Sequence, residues 1–174
     1  MCRVATTGSW DKGIDYLATY ELLLRNIKKL HPPSKCYLIV ALIQLRNGAR
    51  ISEAVRSFKR WLLTGSQELH IDVSKKKKPE ARLIIIPSEI MEYRSECLEL
   101  STLGDRELRD RVRWALRYYL RLNTHSLRYA YITYLLREGV NPAIVSKVIR
   151  HSRIDTLIRY IQVKESERVL REIY

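Results

Sequence analysis

A mainly helical domain with one small antiparallel β-hairpin is the fold class predicted here, and three observations carry it. Apolar residues recur at helical spacing along most of the chain. Proline, glycine and Asn/Ser positions punctuate those stretches where helices start and stop. Only in the middle do two short β-prone runs, ELHIDVS and ARLIIIP, flank a polar turn, KKKKPE.

Taken in order, residues 13–30 (GIDYLATYELLLRNIKKL) carry apolar positions at helical spacing and meet a stop at His31-Pro32-Pro33. Residues 34–46 (SKCYLIVALIQLR) read as a buried helix, with Ser34 expected as its N-cap and Asn47-Gly48 as its end. ISEAVRSF predicts a short helix from about Ser52. The two β-prone runs then form a hairpin with a lysine-rich tip. Helices are expected at about 87–100, 104–121, 125–138, 142–149 and 153–163, with a last one over 164–173. There are no internal repeats and no low-complexity linker, and 174 residues suit one domain able to bury a core, so 1–174 is expected to be a single unit.

Composition narrows the function. The chain has 46% hydrophobic and 29% charged residues, and no run approaches the roughly 18 apolar residues of a membrane span. The start, MCRVATTGSWDKG, lacks the apolar stretch of a secretory signal. Cys2, Cys36 and Cys97 are odd in number, far apart and outside any CxxC pair, which fits a reducing compartment and argues against a zinc site. A cytoplasmic protein without metal or other cofactor is therefore expected. The 32 Lys and Arg against 19 Asp and Glu leave a net charge of +13. With a pI near 9.9, a polyanion is the natural partner, through neutralised phosphates and released counterions. An anionic membrane fits less well, because no helix opposes a wholly basic face to a Trp and Leu face.

The stretch THSLRYAYITYLL, residues 124–136, refines this. At helical pitch Leu127, Ala130, Tyr131, Tyr134 and Leu135 form the stripe that faces the core. His125 and Arg128 are expected to project from the opposite side, in a first turn whose free N–H groups and dipole favour an anion. By itself, an HxxR pair fits a solvated helix start. Beyond it, Gly139 closes the helix, Asn141 caps the next and Pro142 occupies its first turn. That helix, PAIVSKVI, runs into Arg150-His151-Ser152, after which Ser152 and Asp155 can cap RIDTLIRYIQ, which presents Tyr160.

Taken together, His125, Arg128, His151 and Tyr160 resemble the catalytic domain of the tyrosine recombinases, the phage-integrase type of site-specific recombinase. In that family an HxxR helix precedes a histidine, and the nucleophilic tyrosine follows nine residues later, the interval from His151 to Tyr160 here. The resemblance implies an upstream arginine in a TGxRxsE-like segment, which NGARISEAV supplies as Arg50 with Glu53 beside it. It also implies a hairpin lysine. The run Lys75 to Lys78 leaves the choice open, with Lys75, nearest the strand, preferred and Lys77 next because it alternates onto the same face. The likeness spans about residues 12–165 and departs from the family in two ways. Arg150 stands where glycine is usual, and no segment is long enough to be the family's separate N-terminal DNA-clamping domain, which is expected to be absent.

What the resemblance implies is a phenolate attack on a phosphodiester of double-stranded DNA, by an enzyme assembled as a dimer or tetramer on its site. Arg50 and Arg128 would neutralise the non-bridging oxygens, and His125 would take the phenol's proton. The hairpin lysine would protonate the departing 5′-hydroxyl, and His151 would support the pentacoordinate state. The product would be a 3′-phosphotyrosyl link that stores the bond energy, so rejoining needs neither ATP nor metal. No Walker loop or carboxylate cluster stands against that. Two rival readings compete with it. One is a type IB topoisomerase with a similar constellation; the other is a helix-turn-helix binder that uses residues 142–149 for recognition.

Overall fold

Twelve of the fourteen residues of one helix are buried, and four other helices pack on it. The computed structural model describes residues 14–73, 80–150 and 171, and every structural statement below concerns those residues. Elements run in the order α1 (Tyr16–Lys29), α2 (Ser34–Asn47), α3 (Ile51–Thr64), β1 (Glu68–Asp72), β2 (Ala81–Ile85), two 3₁₀ segments (Ser88–Tyr93 and Ser95–Thr102), α4 (Asp105–Ala115) with a π turn (Leu116–Leu120), α5 (Thr124–Arg137) and α6 (Pro142–Ile149). The mainly helical fold with a two-stranded antiparallel sheet is the class expected.

The central helix is α2, apolar around its whole circumference, and α1, α3, α4 and α5 pack on it. Of these, α1, α3 and α4 are one-sided, as amphipathic helices on a core must be. Asp15 caps α1 by accepting from Ala18 N at 2.7 Å, and that helix buries Tyr16, Leu23 and Ile27. The stripe of α3 is Ala54, Val55, Phe58, Trp61 and Leu62, all fully buried. That stripe continues past Phe58, which is why α3 reaches Thr64 instead of stopping as the short helix expected. At α2 the expected Ser34 cap is corrected: Pro33 holds the cap position, and the Ser34 hydroxyl accepts from Tyr119 Oη at 3.0 Å.

Strands β1 and β2 pair in the register Glu68↔Ile85 through Asp72↔Ala81. Alternation puts Leu69 and Ile71 of β1, with Arg82 and Ile84 of β2, on the buried face. The α-helix expected at 87–100 is instead two 3₁₀ segments. Within those two segments only Ile90 and Cys97 are buried, too sparse a stripe to seat a regular helix. Arg94 pins the junction by donating from Nε to Leu62 O at 3.0 Å and from Nη2 to the same carbonyl at 2.8 Å, at the C-terminal end of α3. The helices expected over 153–163 and 164–173 lie outside the described residues, apart from Arg171, which is helical. None of the described helices is long and apolar enough to cross a membrane.

The cysteines require a correction. Cys36 of α2 and Cys97 of the second 3₁₀ segment form a disulfide, with Cα atoms 5.7 Å apart across 61 positions of chain. Sequence spacing concealed this proximity, and cysteine usage therefore no longer supports a reducing compartment. Unfolded without reductant, the chain should present one titratable thiol out of three. Reduction should lower its stability in urea by about 4 kcal/mol, from the loop entropy returned to the unfolded chain. Three reactive thiols before reduction would refute the bridge.

Candidate active site

The site is organised by the turn between α2 and α3. Helix α2 ends at Gly48, whose φ of 54° places it in the left-handed region. A Cβ at that position would run into the Tyr131 ring of α5, so the turn requires glycine on both conformational and steric grounds. Two residues on, Arg50 is the N-cap of α3. Its backbone N donates to Glu53 Oε2 at 3.0 Å and its Nη1 to Glu53 Oε1 at 3.0 Å. The Glu53 side chain is fully buried, whereas that of Arg50 keeps 29% exposure, so the carboxylate anchors a guanidinium that still reaches the surface.

Arg128 joins this turn from α5. Its Nη1 donates to Gly48 O at 2.7 Å and its Nη2 to Ile149 O, at the end of α6, at 2.8 Å. The expectation that Arg128 projects away from the core is therefore wrong. Arg128 is 7% exposed and lies between two backbone segments whose carbonyls each accept from one of its terminal nitrogens, a partnership that helical pitch cannot show. Burial, and next the nearby charge of Arg50, pull its pKa down to about 10, which leaves the guanidinium cationic at neutral pH. His125 matches expectation better. It is exposed in the first turn of α5, with its ring 6.3 Å from that of Tyr129. The N-cap of that turn is Asn123, which accepts from Ser126 N at 2.9 Å. His125 and Tyr129 line an open cleft of about 450 Å³ together with Arg113 and Arg117 of α4 and its π turn.

Of the six residues singled out from sequence, the structure thus gathers Arg50 and Arg128 at one turn and places His125 one helical turn before Arg128. Lys75, His151 and Tyr160 lie outside the described residues. Arg128 nonetheless holds the carbonyl of Ile149, two positions before His151. Arg150, between them, adopts φ 52° and ψ 47°, the left-handed conformation that suits glycine. Its side chain crosses to the hairpin, with Nη1 2.6 Å from Glu80 Oε1.

Sequence reading missed three residues of this network. Arg82 of β2 is 4% exposed; its Nη2 donates to Asn47 O at 2.5 Å and its Nη1 lies 3.5 Å from Glu53 Oε2. The period-two pattern of ARLIIIP, which puts Arg82 on the face of Ile84 and Ile86, was the available signal. Gln44 Nε2 donates to Ala49 O at 3.2 Å and to Thr124 O at 2.8 Å, tying the turn to the start of α5. Asn47 exchanges hydrogen bonds with Ile85, its Nδ2 donating to Ile85 O at 2.8 Å and its Oδ1 accepting from Ile85 N at 2.9 Å. The sequence marks Asn47 only as part of a helix stop, and nothing in it marks Gln44.

No family model matches the chain. "Putative integrase ORF241" of Acidianus two-tailed virus is 36% identical over 170 residues, which cover 95% of this chain and 69% of that protein. "Putative integrase V10" of Sputnik virophage is 26% identical, over 92% of this chain and 88% of its own length. Among solved structures, the XerH site-specific recombinase bound to its difH substrate superposes with a TM-score of 0.57 at 18% identity. That likeness, which concerns the fold, covers 89% of this chain and about half, 52%, of the XerH chain.

Two substitutions test the backbone geometry. Gly48→Ala should destabilise the protein by at least about 2 kcal/mol, measured as a shift in the urea midpoint, since left-handed strain and the Tyr131 clash act together. At position 150, Arg150→Gly and Arg150→Ala both lose the Glu80 ion pair, but only glycine suits the backbone. The glycine variant should therefore be the more stable of the two by about 1 kcal/mol. Equal stability of the pair would contradict the left-handed assignment.

Proposed function

This chain belongs to the tyrosine recombinase (integrase) family, and we propose that it breaks and rejoins double-stranded DNA as the catalytic unit of a site-specific recombinase. The observation that carries this reading is the grip of Arg128 on Gly48 O and Ile149 O. One buried guanidinium links the turn that bears Arg50 to the helix end that leads into His151. Two planar forks near one spot suit the non-bridging oxygens of a phosphodiester. The net charge of +13 suits the polyanion that carries it.

In the proposed reaction the Tyr160 phenol oxygen attacks phosphorus while its proton passes to His125. The new O–P bond forms as the bond from phosphorus to the 5′-oxygen breaks. That oxygen leaves as a hydroxyl, protonated by a lysine of the 75–78 run, with Lys75 preferred. Arg50 and Arg128 neutralise the charge that builds on the non-bridging oxygens, and His151 adds a hydrogen bond there. Rejoining reverses these steps with another 5′-hydroxyl. The phosphotyrosyl ester conserves the bond energy, so no metal or ATP enters the scheme. Each site would be served by more than one copy of the chain, since recombination exchanges strands between duplexes. A helix-turn-helix binder would need neither Arg50 nor the buried Arg128.

Nicked "suicide" duplexes of randomised sequence provide the test, because loss of the short cleaved strand traps the covalent complex. The wild-type chain should yield a denaturant-resistant protein–DNA adduct. Tyr160→Phe should abolish it while leaving the affinity for the same duplexes within about threefold. An adduct that survives Tyr160→Phe, or a wild-type chain that never forms one, would overturn the proposal.

A further inference from the structure

Arg82 is the most buried cation among the described residues, and the scheme above gives it no task. We infer that Arg82 is a positioning residue of the active site, a resident counter-ion for Glu53 that allows Arg50 to be handed to the scissile phosphate. This rests on the recombinase reading of the same site.

The reasoning starts from Glu53, whose carboxylate is fully buried and therefore requires compensation. Oε1 accepts from Arg50 Nη1 at 3.0 Å; Oε2 accepts from Arg50 N at 3.0 Å and faces Arg82 Nη1 at 3.5 Å. If Arg50 were the sole counter-ion, its charge could not be shared with a DNA phosphate without leaving a buried carboxylate undercompensated. Glu53 would then hold Arg50 back. Arg82 removes that conflict. Its own Nη2 is anchored on Asn47 O at 2.5 Å, so it remains beside Glu53 whether or not Arg50 engages an anion. The same bond fixes the carbonyl next to Gly48, the residue on which Arg128 rests. One guanidinium from the hairpin thus sets both arginines of the proposed clamp. A purely structural ion pair would make no such distinction between the states of Arg50.

The duplex captured by the wild-type chain, prepared with either a normal phosphodiester or a neutral methylphosphonate at the scissile position, separates these possibilities. The methylphosphonate carries no charge to be neutralised, so a defect in the arginine clamp should matter little on it. Arg82→Met should slow single-turnover capture of the phosphodiester by about 100-fold and of the methylphosphonate by no more than about fivefold, with duplex affinity within about threefold of wild type. Arg50→Ala should follow the same profile. Arg82→Lys keeps the charge but loses the fork that reaches Asn47 O and Glu53 together, and should show the same selectivity with a smaller deficit of about 10-fold. Equal slowing on the two substrates, or none on the phosphodiester, would overturn the inference. If Arg82→Met does not fold, Arg82→Lys decides it by the same comparison. A wild-type chain that captures neither substrate would instead defeat the recombinase reading itself.

Discussion

Three successive carbonyls of the α2–α3 turn are each taken by a side chain from a different element, and the remainder of the site depends on that arrangement. Asn47 O is held by Arg82 from β2, Gly48 O by Arg128 from α5 and Ala49 O by Gln44 from α2 itself. A helix that stops inside a protein leaves carbonyls without intrahelical donors, and a buried carbonyl without a donor is costly. Here the obligation is met by groups that carry charge into the site as they meet it. Gln44 extends the tie to Thr124 O, so the turn of α5 that bears His125 is referenced to the same point. The saturation is incomplete on the side-chain side. Gln44 Oε1 and Arg82 Nε are buried with no hydrogen-bond partner among the described residues. Both lie at the turn, where the backbone's demand for donors set their orientation.

The same arrangement defines the electrostatics. Arg50 and Arg82 share one buried carboxylate, Glu53, with Arg128 close by. Burial is the largest cause lowering the pKa of Arg82 and of Arg128, and like charges add to it: Arg50 and Arg82 each push Arg128 down, and Arg50 pushes Arg82 down. The cluster is therefore cationic in excess, in surroundings where charges are weakly screened. An anion that enters such a site relieves repulsion that the fold already contains. Arginine suits the task better than lysine, because a planar fork can bind two carbonyls, as Arg128 does, and still remain charged.

How much of this was legible in the sequence follows from the range of the forces involved. Features set by neighbouring residues could be read: the stop of α2 at Asn47-Gly48, the Asn141 cap that accepts from Ala143 N at 2.8 Å, and the pairing of the two β-prone runs. Features set by distant partners could not. The burial of Arg128 depends on carbonyls 80 and 21 positions away, and the disulfide spans 61. Between these extremes, Arg50 was found through its likeness to a family motif, and its proximity to Glu53 is local. Arg82 was passed over because its strand reads as apolar and β-prone, although strict alternation sets it among buried isoleucines. A charged residue on the apolar side of a strand requires a partner, a rule that marks Arg82 itself but not Glu53, 29 positions away.

Arg150 shows how the chain accommodates a departure from its family's pattern. Glycine at the end of α6 would adopt the left-handed conformation freely, whereas arginine there carries roughly 1–2 kcal/mol of backbone strain. What arginine brings in exchange is reach. Its guanidinium meets Glu80 at 2.6 Å, at the entrance to β2, and its Nη2 approaches Ala81 O at 3.5 Å. The pair is about one-third exposed on each side, so solvent screening keeps its worth below the Coulombic attraction of two buried charges. Its value is better judged as geometry: it joins the residue before His151 to the residue two positions before Arg82. Through Arg150 and Arg82 the hairpin is attached to both halves of the site, by a side chain where the family has none and by one set in an otherwise apolar strand.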